Sequence, residues 1–256
     1  MIKMINCIRR KKKFRRDEFL SHWLEYHAPF APSEPAIASY TQLHGLENNI
    51  PRDHMPQALK CDQPPFDGFA IVTYADFDAF EASMRNSPVI KAGIADDSVF
   101  IDSDRSVACI TREHVLLEPR TCFPTMNVSV LNPPAYVLVE CLRRKSTLSR
   151  EAFQEAWLEH GQRVLNYRDK SVDLGLMGYL QNHTFPGEKG GVDAFAGEEP
   201  FDGIGMSFFG SIIFFREFVG QSLAAPPMVR SEEEFVDHSR SRYVLTRRFR
   251  LLDPCR

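Results

Sequence analysis

The chain has 256 residues, with 31 basic against 34 acidic side chains, a formal net charge of −3 and a hydrophobic content of 43%, the composition of an ordinary soluble globular protein. No run approaches the roughly 20 apolar residues of a membrane span, and the near-balanced charge gives no overall field that would draw in nucleic acid or an anionic membrane. Six cysteines, Cys7, Cys61, Cys109, Cys122, Cys141 and Cys255, form no CxxC pair and no metal spacing, so they read as reduced thiols in a cytoplasm.

In chain order, the apolar run at 2–9 predicts a strand ending in the basic turn Arg9-Arg10-Lys11-Lys12-Lys13. Asp17 and Glu18 suit the first turn of a helix over 17–28, and Phe19, Trp23 and His27 fall on one of its faces at i, i+4, i+8. A strand over 40–46, a Pro-rich loop, a strand from Asp67, a helix over 76–84 and a strand over 105–117 follow. A turn-rich stretch runs from Pro119 to Pro134. The order then starts again: a strand over 136–143, a helix over 149–160 capped by Ser149, a strand over 179–184, a Gly-rich loop, a strand from Asp202, a helix over 211–221 and a strand over 240–252.

This second pass is an internal repeat. Ile8-Arg9-Arg10-Lys11, Phe14, Arg16, Phe19 and Trp23-Leu24-Glu25 return as Leu142-Arg143-Arg144-Lys145, Leu148, Arg150, Phe153 and Trp157-Leu158-Glu159. Tyr40-x-Gln42-x-His44 returns as Tyr179-x-Gln181-x-His183, Phe66-Asp67-Gly68 as Phe201-Asp202-Gly203, and Asp102-x-x-Arg105 with Thr111-Arg112 as Asp237-x-x-Arg240 with Thr246-Arg247. Four blocks in one order imply two copies, residues 1–118 and 135–256, joined by a linker at 119–134. Each copy reads βαββαβ, the ferredoxin-like order of an α+β fold. One sheet face of each copy needs cover, so the expectation is two tandem ferredoxin-like units with their sheets packed face to face as an intrachain barrel, with a pocket between the sheets.

The blocks from Arg9 to His27, Tyr40-x-Gln42-x-His44, Phe66-Asp67-Gly68 and Asp102 to His114 resemble the EthD family of the dimeric α/β-barrel superfamily. The resemblance spans nearly all of both copies outside the linker and the loops at 47–65 and 184–200. It implies a chain that has fused an ordinary homodimer, acting as a monomer by internal pseudo-symmetry or as a homodimer. It also implies chemistry drawn from isomerases, dehydratases, decarboxylases and cyclases that need no cofactor, or from haem enzymes and stress proteins. The copies differ in one place: Trp23 and His27 are four apart, Trp157 and His160 three, with Gly161 opposite His27. Either the helix register changes there or the second histidine does something else.

Tyr40, Gln42 and His44, like Tyr179, Gln181 and His183, alternate along a strand and share a face. A phenol, an amide and an imidazole in a dry pocket could run enolisation, with His44 or His183 moving the proton and Tyr40 or Tyr179 holding the oxyanion; the plainer reading is that they knit the sheet interface. His27 is a further catalytic candidate or a histidine packed at a helix end. Gln42, Gln181, Trp23 and Trp157 are candidate substrate contacts. Arg112 could hold an anionic group or pair with Asp102, and Arg247 likewise with Asp237. Asp67 and Asp202, each before glycine, suit a turn or bulge, and Cys7 and Cys141 suit small buried positions. Seven of the eight residues 9–16 are basic, without the aromatic interleaving of a base-stacking surface. No metal or cofactor motif is present. The expected function is a cofactor-independent lyase or isomerase acting on a small hydrophobic or aromatic carbonyl compound. The rivals are a non-catalytic binder of such a ligand, and a cofactor-free oxygenase or haem protein.

Overall fold

The computed structural model describes residues 1–46, 65–119, 136–170, 175–185, 198–219 and 226–252. Nearly all of the expected linker at 119–134 lies outside them. Eight strands, β1 (Ile2–Ile8), β2 (Ile37–Gly45), β3 (Gly68–Tyr74), β4 (Val107–Leu117), β5 (Tyr136–Leu142), β6 (Leu176–Thr184), β7 (Gly203–Phe209) and β8 (Arg242–Leu252), form one closed barrel in the order β1-β3-β2-β8-β5-β7-β6-β4. Every pairing is antiparallel.

This corrects the expectation of two ferredoxin-like units with packed sheet faces. The halves are joined edge to edge: β2 pairs with β8, Gln42 opposite Phe249, and β4 pairs with β6, Arg112 opposite His183. Edge strands left open would expose unpaired N–H and C=O groups, and closing the cylinder pairs these edges along the two seams. Sequence alternation reports which residues share a face, not which strand an edge will pair with.

Among the described residues, the barrel interior is a packed core in place of the expected pocket between two sheets. It is packed with alternating apolar side chains from both halves, among them Ile5, Cys7, Leu43, Val139, Cys141 and Val244. The intervening residues face the helices outside. Ile8, Tyr40, Val72 and Ile110 meet Phe19 and Trp23 in the first half, and Leu138, Tyr179 and Leu245 meet Phe153 and Trp157 in the second.

The outer helices differ between the halves. Arg150–Lys170 (α4) is one continuous α-helix, whereas the first half passes from α1 (Arg16–Ser21) to a π-helical turn (His22–His27) and a 3₁₀ turn (Ala28–Ser33). Pro29 and Pro32 explain the break, since proline removes the amide that an α-helix would use and crowds the preceding turn. α2 (Phe77–Asn86) starts at Asp76, which accepts from the Ala79 amide at 2.8 Å. A helix the periodicity did not reveal, α3 (Pro88–Phe100), starts at Ser87, which accepts from Val89 N and Ile90 N, with Pro88 in its first turn. α5 (Ile212–Phe218) and α6 (Pro226–Glu233) follow the same plan in the second half.

Candidate functional site

Between the first-half sheet and α3 lies a cavity of about 90 Å³. Its walls are mostly apolar, with Met4, Ile8, Trp23, Phe30, Val72 and Ile90 among them, and its polar groups are Asn6, His27, Tyr40, Tyr74 and Asp97. Gly93 on α3 and the small Ala31 and Ala70 keep the space open. Ile94, also on its wall, is 39% exposed.

The π-turn and α3 bring the acid–base groups together. His27 Nδ1 is 2.9 Å from Asp96 Oδ2, and its Nε2 is 3.4 Å from Asp97 Oδ1. On the far side of Asp96, His22 Nε2 stands at 3.1 Å. Burial, reinforced by the adjacent Asp96, lifts the Asp97 carboxyl to about 8. Burial also lowers His27, against the pull of Asp96. At neutral pH this combination is a neutral imidazole, whose partners assign Nδ1–H to Asp96, facing a protonated carboxylic acid.

Tyr40 supplies the remaining donor. Its hydroxyl oxygen accepts from Trp23 Nε1 at 3.2 Å and from Gln42 Nε2 at 2.9 Å. Both lone pairs are thereby used, leaving the O–H to donate. Burial holds the phenol well above its usual value, so it stays protonated. The Asn6 Oδ1, also buried, has no hydrogen-bond partner among the described residues.

His44 and His183, the leading sequence candidates, stand elsewhere. His44 is sandwiched between Trp23, at 4.9 Å, and Phe249, at 4.3 Å, with Nε2 bonded to Gln42 Oε1 at 2.8 Å. Burial, with Arg16 and Arg247, lowers it to about 4. His183 stacks on Trp157 at 4.9 Å, lies 4.3 Å from His114 and bonds Gln181 Oε1 at 3.1 Å; burial lowers it to about 3. Gln42 and Gln181 each donate to a tryptophan carbonyl, of Trp23 and Trp157, and to the neighbouring tyrosine. The two polar ladders thus clamp helix to sheet under the helices rather than lining the barrel interior, and Tyr40 and Trp23 alone among their members border the first-half cavity.

Arg112 lies over the Phe185 ring at 5.3 Å, while Asp102 pairs with Arg105 and Asp237 with Arg240. Asp67 and Asp202 hold the amides of Arg10 and Arg144, each at 2.9 Å. The glycines after them have a separate reason: a Cβ on Gly68 or Gly203 would meet the Trp23 or Trp157 ring at 2.6 or 2.3 Å.

The second half keeps the frame but not the opening. Glu140 stands where Asn6 does, and Tyr243, paired with Glu140, stands where Ala108 pairs with Asn6. Met228, buried in the helix-side core, takes the place of Gly93, and Glu232 that of Asp97. His160, with Nδ1 3.2 Å from Ser231 Oγ, replaces His27. Asp96 and Asp97 were not singled out in the sequence; carrying the repeat through α3 to Ser231 and Glu232 was the signal that would have found the second of them. Among the described residues, no group of three or more His, Cys, Asp or Glu is placed to hold a metal ion.

Residues 11–104 match the EthD domain family model. No curated protein matches the chain in sequence. Among solved structures, an anthrone oxidase-like protein aligns with TM-score 0.62 at 8% identity over 98% of this chain and 93% of its own. A structure from Fusobacterium nucleatum with a provisional monooxygenase name gives 0.56 at 8% over 96% and 91%. One with a provisional chlorite dismutase name gives 0.50 at 12% over 99% and 96%. Identities this low speak to fold alone. Residues 11–104 are thus similar to an EthD domain, and the chain as a whole shares the fold of these solved structures.

Proposed function

We propose that the first-half cavity is the site of a cofactor-independent lyase or isomerase that removes a proton beside the carbonyl of a small hydrophobic or aromatic compound. The observation that carries this reading is the convergence of a neutral imidazole (His27), a carboxylic acid with a value of about 8 (Asp97) and a free phenolic O–H (Tyr40) on one apolar cavity. His27 Nε2 takes the proton, Tyr40 donates to the enolate oxygen as charge develops there, and Asp97 can give its proton to the leaving group or to a second carbon. Asp96, behind the ring, holds the tautomer and steadies the imidazolium.

Size limits the substrate. An apolar cavity of roughly 150 Å³ holds a benzene, so about 90 Å³ takes a smaller reacting group and leaves the rest of the molecule towards Ile94. Haem, which the family resemblance also implies, does not fit this cavity, since ligands of that size need roughly 300–1,000 Å³. Two of the fold relatives described above carry oxidase or monooxygenase names, and oxygenation of such a carbanion would begin with the same proton removal.

The test is hydrogen–deuterium exchange, followed by NMR, at the acidic carbon of a panel of small 1,3-dicarbonyl and aromatic ketones, with oxygen uptake recorded in parallel. Catalysed exchange that falls by roughly 10²-fold or more in His27→Ala supports the reading. Tight binding without exchange would make the protein a carrier, and exchange accompanied by oxygen uptake an oxygenase.

A further inference from the structure

One end of the barrel gathers three arginines around two phenylalanines. Phe66 and Phe201 meet edge to face at 6.0 Å. The Arg9 guanidinium lies 4.9 Å from the Phe66 ring, Arg143 4.3 Å from Phe201, and Arg242 4.7 and 5.6 Å from the two rings. All three are buried, at 7%, 8% and 5% exposure. Arg9 and Arg143 are symmetry mates with matching duties, donating to the carbonyls of Pro65 and Pro200.

Arg242 has no such mate. In the first half its place opposite β1 is taken by Val107, so the barrel does not need a cation there. Its Nη2 bonds both Glu198 oxygens at 2.8 and 2.9 Å, while Nε and Nη1 are buried with no hydrogen-bond partner among the described residues. Neighbouring like charge makes this expensive, and Arg242 and Arg105 both act to lower Arg9 after burial itself. Outward from Phe66 opens a cleft of about 400 Å³ whose wall carries Arg9, Arg10, Lys12, Arg16 and Arg105 against one acid, Asp67.

We propose that this barrel end is a binding site for a small oxyanion, the phosphate or carboxylate group of a metabolite, drawn into the basic cleft and completing the hydrogen bonds of the Nε–H and Nη1–H of Arg242, which stacks on Phe66 behind the cleft wall. Guanidinium donors match both anions.

Calorimetric titration of the full chain with inorganic phosphate, and separately with acetate, at ionic strength held constant with sodium chloride, tests it. Saturable binding of phosphate alone identifies a phosphoryl ligand, and saturation by acetate identifies a carboxylate. Either must weaken by roughly tenfold in Arg242→Gln, with Arg105→Gln, on the exposed lip, weakening it less. Should Arg242→Gln fail to fold, Arg242→Lys, which loses the Nη1 donor and keeps the charge, is held to the same tenfold mark. Absence of saturation with both anions, or binding that the Arg242 variant leaves unchanged, overturns the proposal.

Discussion

His27 and His160 occupy the same place in the two halves although their distances from Trp23 and Trp157 along the chain differ by one residue. Each ring meets a phenylalanine edge to face, Phe100 at 5.3 Å and Phe235 at 5.5 Å, and each Nδ1 reaches the same point of the facing helix, Asp96 or Ser231. The π-turn at His22–His27 absorbs the extra residue, as such bulges commonly do at functional sites. Because the partner is a carboxylate in one half and a hydroxyl in the other, only His27 has an anionic partner at Nδ1 to offset the charge of its protonated form.

His27 and His44 therefore separate chemistry from architecture. His27→Ala is expected to lower proton-transfer turnover by roughly 10²–10⁴-fold with little change in melting temperature. His44→Ala leaves Gln42 Oε1 without its donor and removes a ring packed between Trp23 and Phe249. Its expected cost is about 1–3 kcal/mol of stability with turnover largely kept. Paired kinetics and chemical denaturation would expose the reverse pattern if the roles were exchanged.

Asp97 makes stability fall as pH rises. Its folded value of about 8 lies above its ordinary 3.8, so the native state holds a proton that the unfolded chain releases over that range. The stabilisation is complete below the lower value and is lost as pH climbs to about 8, at no more than ~1.36 kcal/mol per unit. Asp97→Asn keeps the neutral form and should flatten this dependence, raising stability at pH 8 by about 1–3 kcal/mol. Melting curves from pH 5 to 9 decide it, and an unaltered slope would count against the buried acid.

Gly93 can be given the residue of the closed half. A Cβ there meets Phe30 at 3.8 Å and His27 at 4.0 Å, which is ordinary contact. Gly93→Ala should stabilise the helix by about 0.5–1 kcal/mol. Gly93→Met copies Met228 and should fill the cavity, abolishing ligand binding while the fold persists. Retained binding in a folded Gly93→Met protein would move the site elsewhere.

At Gly203 the added Cβ would lie 2.3 Å from Trp157 Cζ3. Gly203→Ala is expected to cost about 1–3 kcal/mol through overpacking, measurable by denaturant midpoint. A neutral result would mean that the tryptophan can swing away.

Much of the fold was legible along the chain. The repeated blocks located all eight strands and the first helix of each half, because two-residue and 3.6-residue periodicities are local properties. Helices α3 and α6 escaped because their apolar residues follow no clean stripe, although Ser87-Pro88 is a readable helix start. Within the candidate site, Tyr40, Trp23 and His27 were legible and Asp97 was not. His44 lies off the cavity for a definite reason: alternation placed Tyr40, Gln42 and His44 on one face, but a strand in a closed barrel has two buried faces.

Residue order alone established the duplication, the shared face of each Tyr-Gln-His set and the odd spacing at His27, since each is a comparison between positions in one chain. Tertiary structure decided that the strand edges close into a single barrel, that the triads lie beneath the helices, and that α3 carries Asp97 to the imidazole left in reach by the π-turn. Those outcomes depend on pairings between segments far apart in sequence, and the free energy of burying both faces of a sheet is not written in either segment by itself.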